Sequence, residues 1–182
     1  KTGLHSRGAL VTDFVTGDDS PEAFVRQIED KLYAGFSLLV ALGDELWYTS
    51  NRGDGPVRLG PGIYGLSNAA LDTPWSKLVR SRDRLTKALE TGEFDDNALI
   101  RILSDREPAP VTDMKDDALP FELARAMTAP FILAPDYGTR CTTVVHWCND
   151  DTMAVTERRF DAGGEKVGEE MYRFGIGGQD RR

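Results

Sequence analysis

Three β-rich runs near the C-terminus, 141–148, 152–160 and 166–174, are separated only by Asn149-Asp150-Asp151 and by Asp161-Ala162-Gly163-Gly164. Connections that short return each strand beside its neighbour, so these residues predict an antiparallel meander. A parallel pair would need a crossover of about a dozen residues or more. Upstream the order is helices, strands, helices, without regular βα alternation. That order excludes a doubly wound parallel sheet and predicts an α+β fold layered around antiparallel sheets.

The rest of the chain reads in shorter pieces. Residues 6–16 and 20–34 predict two helices, the second opened by Ser20 as N-cap and Pro21 at the first helical position. Its stripe is Phe24, Ile28 and Leu32. Phe36–Leu42 and Glu45–Ser50 flank Gly43-Asp44, a hairpin signal. Short extended pieces follow at 57–59 and 62–67. Thr73-Pro74 opens a helix through Glu90, with Trp75, Leu78, Val79, Leu85 and Leu89 on one face and Gly92 as its stop. Asp95 caps a further helix over 96–104. The stretch 105–120, rich in proline and acid, reads as an exposed loop, and 121–128 as a short helix. The tail from Gly175 reads as frayed.

Composition bounds the function. The 182 residues suit one compact domain. A net charge of −8 repels phosphate, which argues against nucleic acid as partner. The longest apolar run, Tyr33–Leu42, falls far short of the roughly 20 residues of a membrane span. The N-terminus carries no apolar segment of a secretory signal. Cys141 and Cys148 form no disulfide framework and fit a reduced, cytoplasmic setting. Lys1 stands where a Met would start a complete chain, so sequence is expected upstream of it.

Familiar catalytic signatures do not occur: there is no P-loop, GxGxxG, GxSxG or histidine pair at metal spacing. His146 shares a strand face with Val144 and Cys148 and reads as a packed or edge-facing residue. No cofactor or metal is expected. Polar clusters stand where strands meet turns, the usual place for site residues. In Tyr64-Gly65-Leu66-Ser67-Asn68 the Asn offers an amide donor and acceptor to a reacting carbonyl. Tyr137-Gly138-Thr139-Arg140 delivers a guanidinium to the start of the meander, suited to an anion or an anionic nucleophile. Each also has a structural explanation, a turn-stabilising Asn and an ion-paired Arg. Asn51-Arg52-Gly53-Asp54 reads as a turn. Lys77, Arg80, Arg82, Arg84 and Lys87 read as a solvated helix face.

Taken together, Tyr64–Asn68, Leu71-Asp72-Thr73-Pro74-Trp75, Lys77, and Tyr137–Arg140 with Thr143 resemble the NRDE family, also called the transport and Golgi organisation family. Arg7-Gly8, Leu10-Val11, Tyr33-Ala34-Gly35-Phe36 and Thr156-Glu157-Arg158 fall in matching order, so the resemblance covers nearly the whole chain. It implies a four-layer αββα sandwich like that of N-terminal nucleophile hydrolases of the choloylglycine and penicillin-V acylase type. In those enzymes an N-terminal cysteine attacks an amide carbonyl and its α-amino group serves as base.

By this resemblance Asn68 is similar to an oxyanion-environment Asn and Arg140 to the late Arg beside the nucleophile. Tyr64, Ser67 and Trp75 would shape a substrate pocket. The cysteine and the Asn-Arg-Asp-Glu motif belong to an N-terminal segment outside this sequence, and Asn51-Arg52-Gly53-Asp54 is not that motif. The chain taken alone is therefore expected to be inactive. It is read as the C-terminal part, residues 1–182, of a single family domain, with the upstream segment as its intramolecular partner. Without that segment an unpaired sheet edge and exposed core are expected. As an alternative ranked second, the family implies a non-catalytic role, a carrier for haem or for acyl-CoA and lipid. Arg140 and the bases at 77–87 would then meet propionates or phosphates.

Overall fold

The computed structural model describes residues 4–53, 55–111, 114 and 119–175. It has a mixed α+β architecture in two compact units, Lys1–Thr73 and Pro74–Arg182.

In the N-terminal unit, helix α1 (Arg7–Thr16) starts at Ser6, whose hydroxyl accepts the Gly8 N–H at 3.3 Å. Helix α2 (Pro21–Gln27) starts at Ser20, which accepts the Ala23 N–H at 3.2 Å. It stops seven residues in, not at 34 as its stripe predicts, and Ile28 is already extended. The reason lies downstream. Asn51 gathers the carbonyls of Asp30, Tyr33 and Ala34, and His5 N–H bonds the Leu32 carbonyl at 2.7 Å. Those tertiary bonds hold residues 30–34 as a 3-10 turn (Asp30–Leu32) and extended chain, overriding local propensity.

Strands β1 (Ser37–Leu42) and β2 (Glu45–Ser50) form the expected hairpin, with Gly43 at φ 60° in its turn. A two-residue β3 (Val57–Arg58) extends the sheet beyond β2. Residues 62–67, read as extended, form bends and irregular chain. One sheet face is covered by α2, burying Phe24, Val25, Val40 and Trp47 with Phe14, Ile28 and Leu38 packed against them. Burying four such side chains contributes on the order of 6–12 kcal/mol before conformational entropy is counted.

The C-terminal unit opens with α3 (Ser76–Thr91). It starts at Ser76, later than Thr73-Pro74 predicts, with Trp75 as its N-cap residue; the Thr73 hydroxyl donates to the Ala70 carbonyl at 2.7 Å in the turn before it. Gly92, at φ 74°, closes it in the left-handed conformation that glycine adopts without strain. Of the predicted apolar face, Leu78 is buried, while Val79 and Leu89 are exposed. Helix α4 (Asp96–Leu103) is capped by Asp95 as expected, and α5 spans Phe121–Ala126.

The stretch 105–120 lies partly outside the described residues, and its described part is not simply exposed. Ala109 is buried, and the carboxylate of Asp105 is buried between Arg84 at 2.8 Å and Arg80 at 3.4 Å. Arg80 also donates to the Glu107 carbonyl, and Lys77 to that of Met127. The basic face of α3 is therefore partly structural rather than merely solvated. A two-residue hairpin, β4 (Leu133–Ala134) with β5 (Tyr137–Gly138), precedes the meander.

The meander is as predicted: β6 (Cys141–Trp147), β7 (Thr152–Phe160) and β8 (Lys166–Gly175) pair antiparallel in that order. One face carries Thr142, Val144, Thr156 and Phe160 inward, with α4 packed on β6. Phe131 meets Phe160 edge-on at 4.9 Å. Alternation sends the neighbouring residues to the other face. There Val145, Val155 and Tyr172 stand in one cross-strand row and Trp147, Met153 and Phe174 in the next. Val145, Trp147, Tyr172 and Phe174 are each about half exposed. Of the tail, residues 176–182 lie outside the described residues.

Candidate functional site

The N-terminal unit contains a cleft of about 630 Å³. Its apolar wall is Leu10 and Val11 of α1, Phe36 and Leu38 at the start of the hairpin, and Leu66. Its polar wall is Ser37, Ser67, Asn68, Arg7 and Arg52, with Gly35 between.

The tripeptide Ser50-Asn51-Arg52 builds this wall. The Ser50 hydroxyl donates to the Phe36 carbonyl at 2.6 Å and accepts the Arg52 N–H at 3.1 Å. The Asn51 carbonyl oxygen accepts the Phe36 N–H at 2.9 Å while its amide gathers the three carbonyls of the preceding turn. Arg52 Nη1 donates to the Asn68 carbonyl at 3.0 Å, and Arg7 Nη1 to the Gly35 carbonyl at 3.0 Å. The Arg52 guanidinium lies so close over Gly35 that any side chain there would run into it.

The segment carrying Ser67 and Asn68 is pinned as a loop. Gly65 N–H bonds the Asp72 carboxylate and Asp72 N–H returns to the Gly65 carbonyl, both at 2.8 Å. Asp72 itself sits at φ 56°.

Of the residues singled out from sequence, Ser67 and Asn68 line the cleft. Tyr64 stands outside its lining: the hydroxyl donates to the Gly60 carbonyl at 3.0 Å and the ring lies against Gly62. Trp75 and Arg140 belong to the C-terminal unit. Trp75 is the N-cap residue of α3, and its ring carries the Lys77 ammonium at 5.2 Å. Burial pushes the Lys77 amine below its ordinary range. Arg140 is exposed at the foot of β6, its carbonyl accepting the Phe160 N–H.

Sequence reasoning missed Asn51, Arg52 and Arg7 as builders of a cleft. The sequence did hold a signal, a polar run directly after a strand, but a turn explains such a run equally well.

A second polar assembly, also missed, sits where α4 meets the meander. Asp96 takes His146 Nε2 at 2.6 Å on one oxygen and the Thr156 hydroxyl on the other. The Thr156 hydrogen bond lowers the Asp96 carboxyl below the usual range; desolvation opposes this and His146 adds to it. Asn97 accepts from Arg158 at 2.7 Å, and Arg158 pairs with Glu169 at 2.5 Å. Arg158 and then Lys166 hold the Glu169 carboxyl below its ordinary range. His146 is thus bound to a carboxylate rather than packed among apolar groups.

An α+β chain with this cleft, and with these motifs in this order, has clear kin. The family model described as transport and Golgi organisation 2 matches residues 1–162. The transport and Golgi organization protein 2 homolog of Bos taurus is 37% identical over 169 residues, covering 84% of this chain and 61% of the relative. Those of Homo sapiens and Mus musculus are 34% and 31% identical over 168 residues, with the same coverage. The chain belongs to the transport and Golgi organisation 2 family. It spans 61% of the length of these relatives.

Proposed function

We propose that the cleft of the N-terminal unit is a small-molecule site and that the protein handles an amphipathic ligand, haem or an acyl lipid, as a carrier. The observation behind this is the lining: five apolar side chains together with hydroxyls, an amide and guanidiniums around a space of about 630 Å³. That size and that mixture suit small ligands, which bury an apolar body and orient it with a few polar groups. Among the described residues the lining carries guanidiniums, hydroxyls and an amide, groups suited to holding the polar part of a ligand.

Titrating the full-length protein with haem and with an acyl-CoA tests the role. Saturable binding that Leu66→Asp weakens by about tenfold or more supports it. Absence of saturable binding by both ligands overturns it.

A second reading has one specific observation in its favour: Asn68, the residue similar to the oxyanion Asn of cysteine N-terminal nucleophile amidases, lines the same cleft. On this reading the part of the relatives not spanned by this chain supplies the cysteine. It also completes a four-layer αββα sandwich. Amide turnover by the full-length protein, lost on replacing that cysteine and lowered by Asn68→Ala, supports it; turnover indifferent to both changes sinks it.

A cytoplasmic setting goes with either role, in keeping with two free cysteines. Among the described residues no helix is long and apolar enough to cross a membrane.

A further inference from the structure

We propose that Arg7 and Arg52 form an anion clamp in this cleft, so that its ligand is an apolar molecule headed by a carboxylate or a phosphate. The proposal rests on the cleft being the binding site and adds what the site selects.

Each guanidinium carries five N–H donors. Arg7 is held to the Gly35 carbonyl through Nη1, and Arg52 to the Asn68 carbonyl through Nη1. The remaining donors of both form no hydrogen bond among the described residues, and neither guanidinium is ion-paired to a described carboxylate. Both side chains are anchored on the same short stretch. Arg7 bonds the carbonyl of Gly35, and the Arg52 guanidinium lies over its Cα. One backbone bond each fixes their position without neutralising their charge.

The surrounding chain sharpens the point. It carries 30 acidic residues against 22 basic ones, yet among the described residues the cleft lining includes two guanidiniums and no carboxylate. Two cations side by side repel, and a shared anion relieves that repulsion. Guanidinium is the side chain best shaped for the task, offering paired donors to the two oxygens of a carboxylate or phosphate. Ser37, Ser67 and Asn68 add neutral polar groups to the lining. Its apolar members, Leu10, Val11, Phe36, Leu38 and Leu66, accept the body of the ligand.

Glycine at 35 then has a functional reading beside its steric one. It lets the Arg52 guanidinium settle against the backbone within reach of the Arg7 anchor.

The test uses the full-length protein and four probes that share a twelve-carbon chain or an anion: dodecanoate, dodecyl phosphate, dodecanol and inorganic phosphate. Calorimetric titration should show dodecanoate or dodecyl phosphate binding at least about tenfold tighter than dodecanol, and tighter than inorganic phosphate by a similar factor. Which of the two headed chains binds better distinguishes a carboxylate ligand from a phosphate one. Arg7→Gln and Arg52→Gln should each weaken the anionic chains about tenfold more than they weaken dodecanol.

Arg52 also supports the Asn68 carbonyl, so the wild-type salt dependence is a second readout that needs no variant. Affinity for the anionic chains should fall as sodium chloride rises, while that for dodecanol should not. Dodecanol binding as tightly as dodecanoate and dodecyl phosphate, or salt-independent binding of the anionic chains, overturns the clamp and leaves the cleft standing as an apolar site. Failure of all three chains to bind overturns both.

Discussion

At the scale of single residues, Asn51 does more for the N-terminal unit than any one apolar side chain can replace. Its amide and carbonyl satisfy four backbone groups at 30, 33, 34 and 36, joining the exit of α2 to the end of β2. Asn51→Ala leaves the partly buried Tyr33 carbonyl and Phe36 N–H without their partner. It should cost about 2–3 kcal/mol, read as a lower denaturant midpoint at unchanged slope. Asn51→Asp keeps the acceptor for Phe36 but loses the donors, and should fall between wild type and Ala. None of this was legible in sequence, where an Asn after a strand carries the same letter whether it merely turns the chain or clasps four residues far upstream. Asn68 was legible because it belongs to a run of motifs, while Arg7 and Arg52 reach the cleft only through tertiary contacts.

At the scale of elements, local chemistry was readable wherever the decisive atoms lay within a few residues. Ser20, Asp95 and Gly92 mark the ends of helices, and the turns at 43–44, 149–151 and 161–164 set the strand order. It failed where distant groups decide, as in the truncation of α2. The docking of α4 on the meander is of that distant kind, and it gives a pH prediction. Asp96 has a folded-state pKa below its ordinary 3.8. Its contribution to stability is therefore present above about pH 3.8 and lost as pH falls through the lower, folded value. Urea unfolding across a pH series should show wild type more stable than Asp96→Asn at neutral pH, with the gap closing below pH 3.8. A gap that stays constant through that range would contradict the assignment. Thr156→Val should shrink the gap at neutral pH, because the Thr156 hydroxyl is the largest cause of the lowered value.

At the scale of the whole molecule, the meander presents one helix-covered face and one face with two apolar cross-strand rows in the open. Soluble proteins rarely leave contiguous apolar patches of this kind uncovered. The protein should therefore bind a hydrophobic dye such as ANS. Val145→Thr with Tyr172→Lys should lower that signal. Dye binding unchanged by the two substitutions would contradict the open face. The α+β class and the meander could be read from strand spacing alone. The division into two compact units could not, because it depends on contact density rather than on any linker composition.

The Arg52–Asn68 bond has one further consequence. It ties a guanidinium that faces the cleft to a loop already held by the reciprocal Gly65–Asp72 bonds. Whatever occupies the cleft and draws on Arg52 thereby shares an energy with the order of residues 65–72, and the coupling runs equally in both directions. Amide hydrogen exchange at Gly65 and Asp72 is thus a remote gauge of occupancy, and loosening that loop is a way to tune affinity without touching the cleft wall.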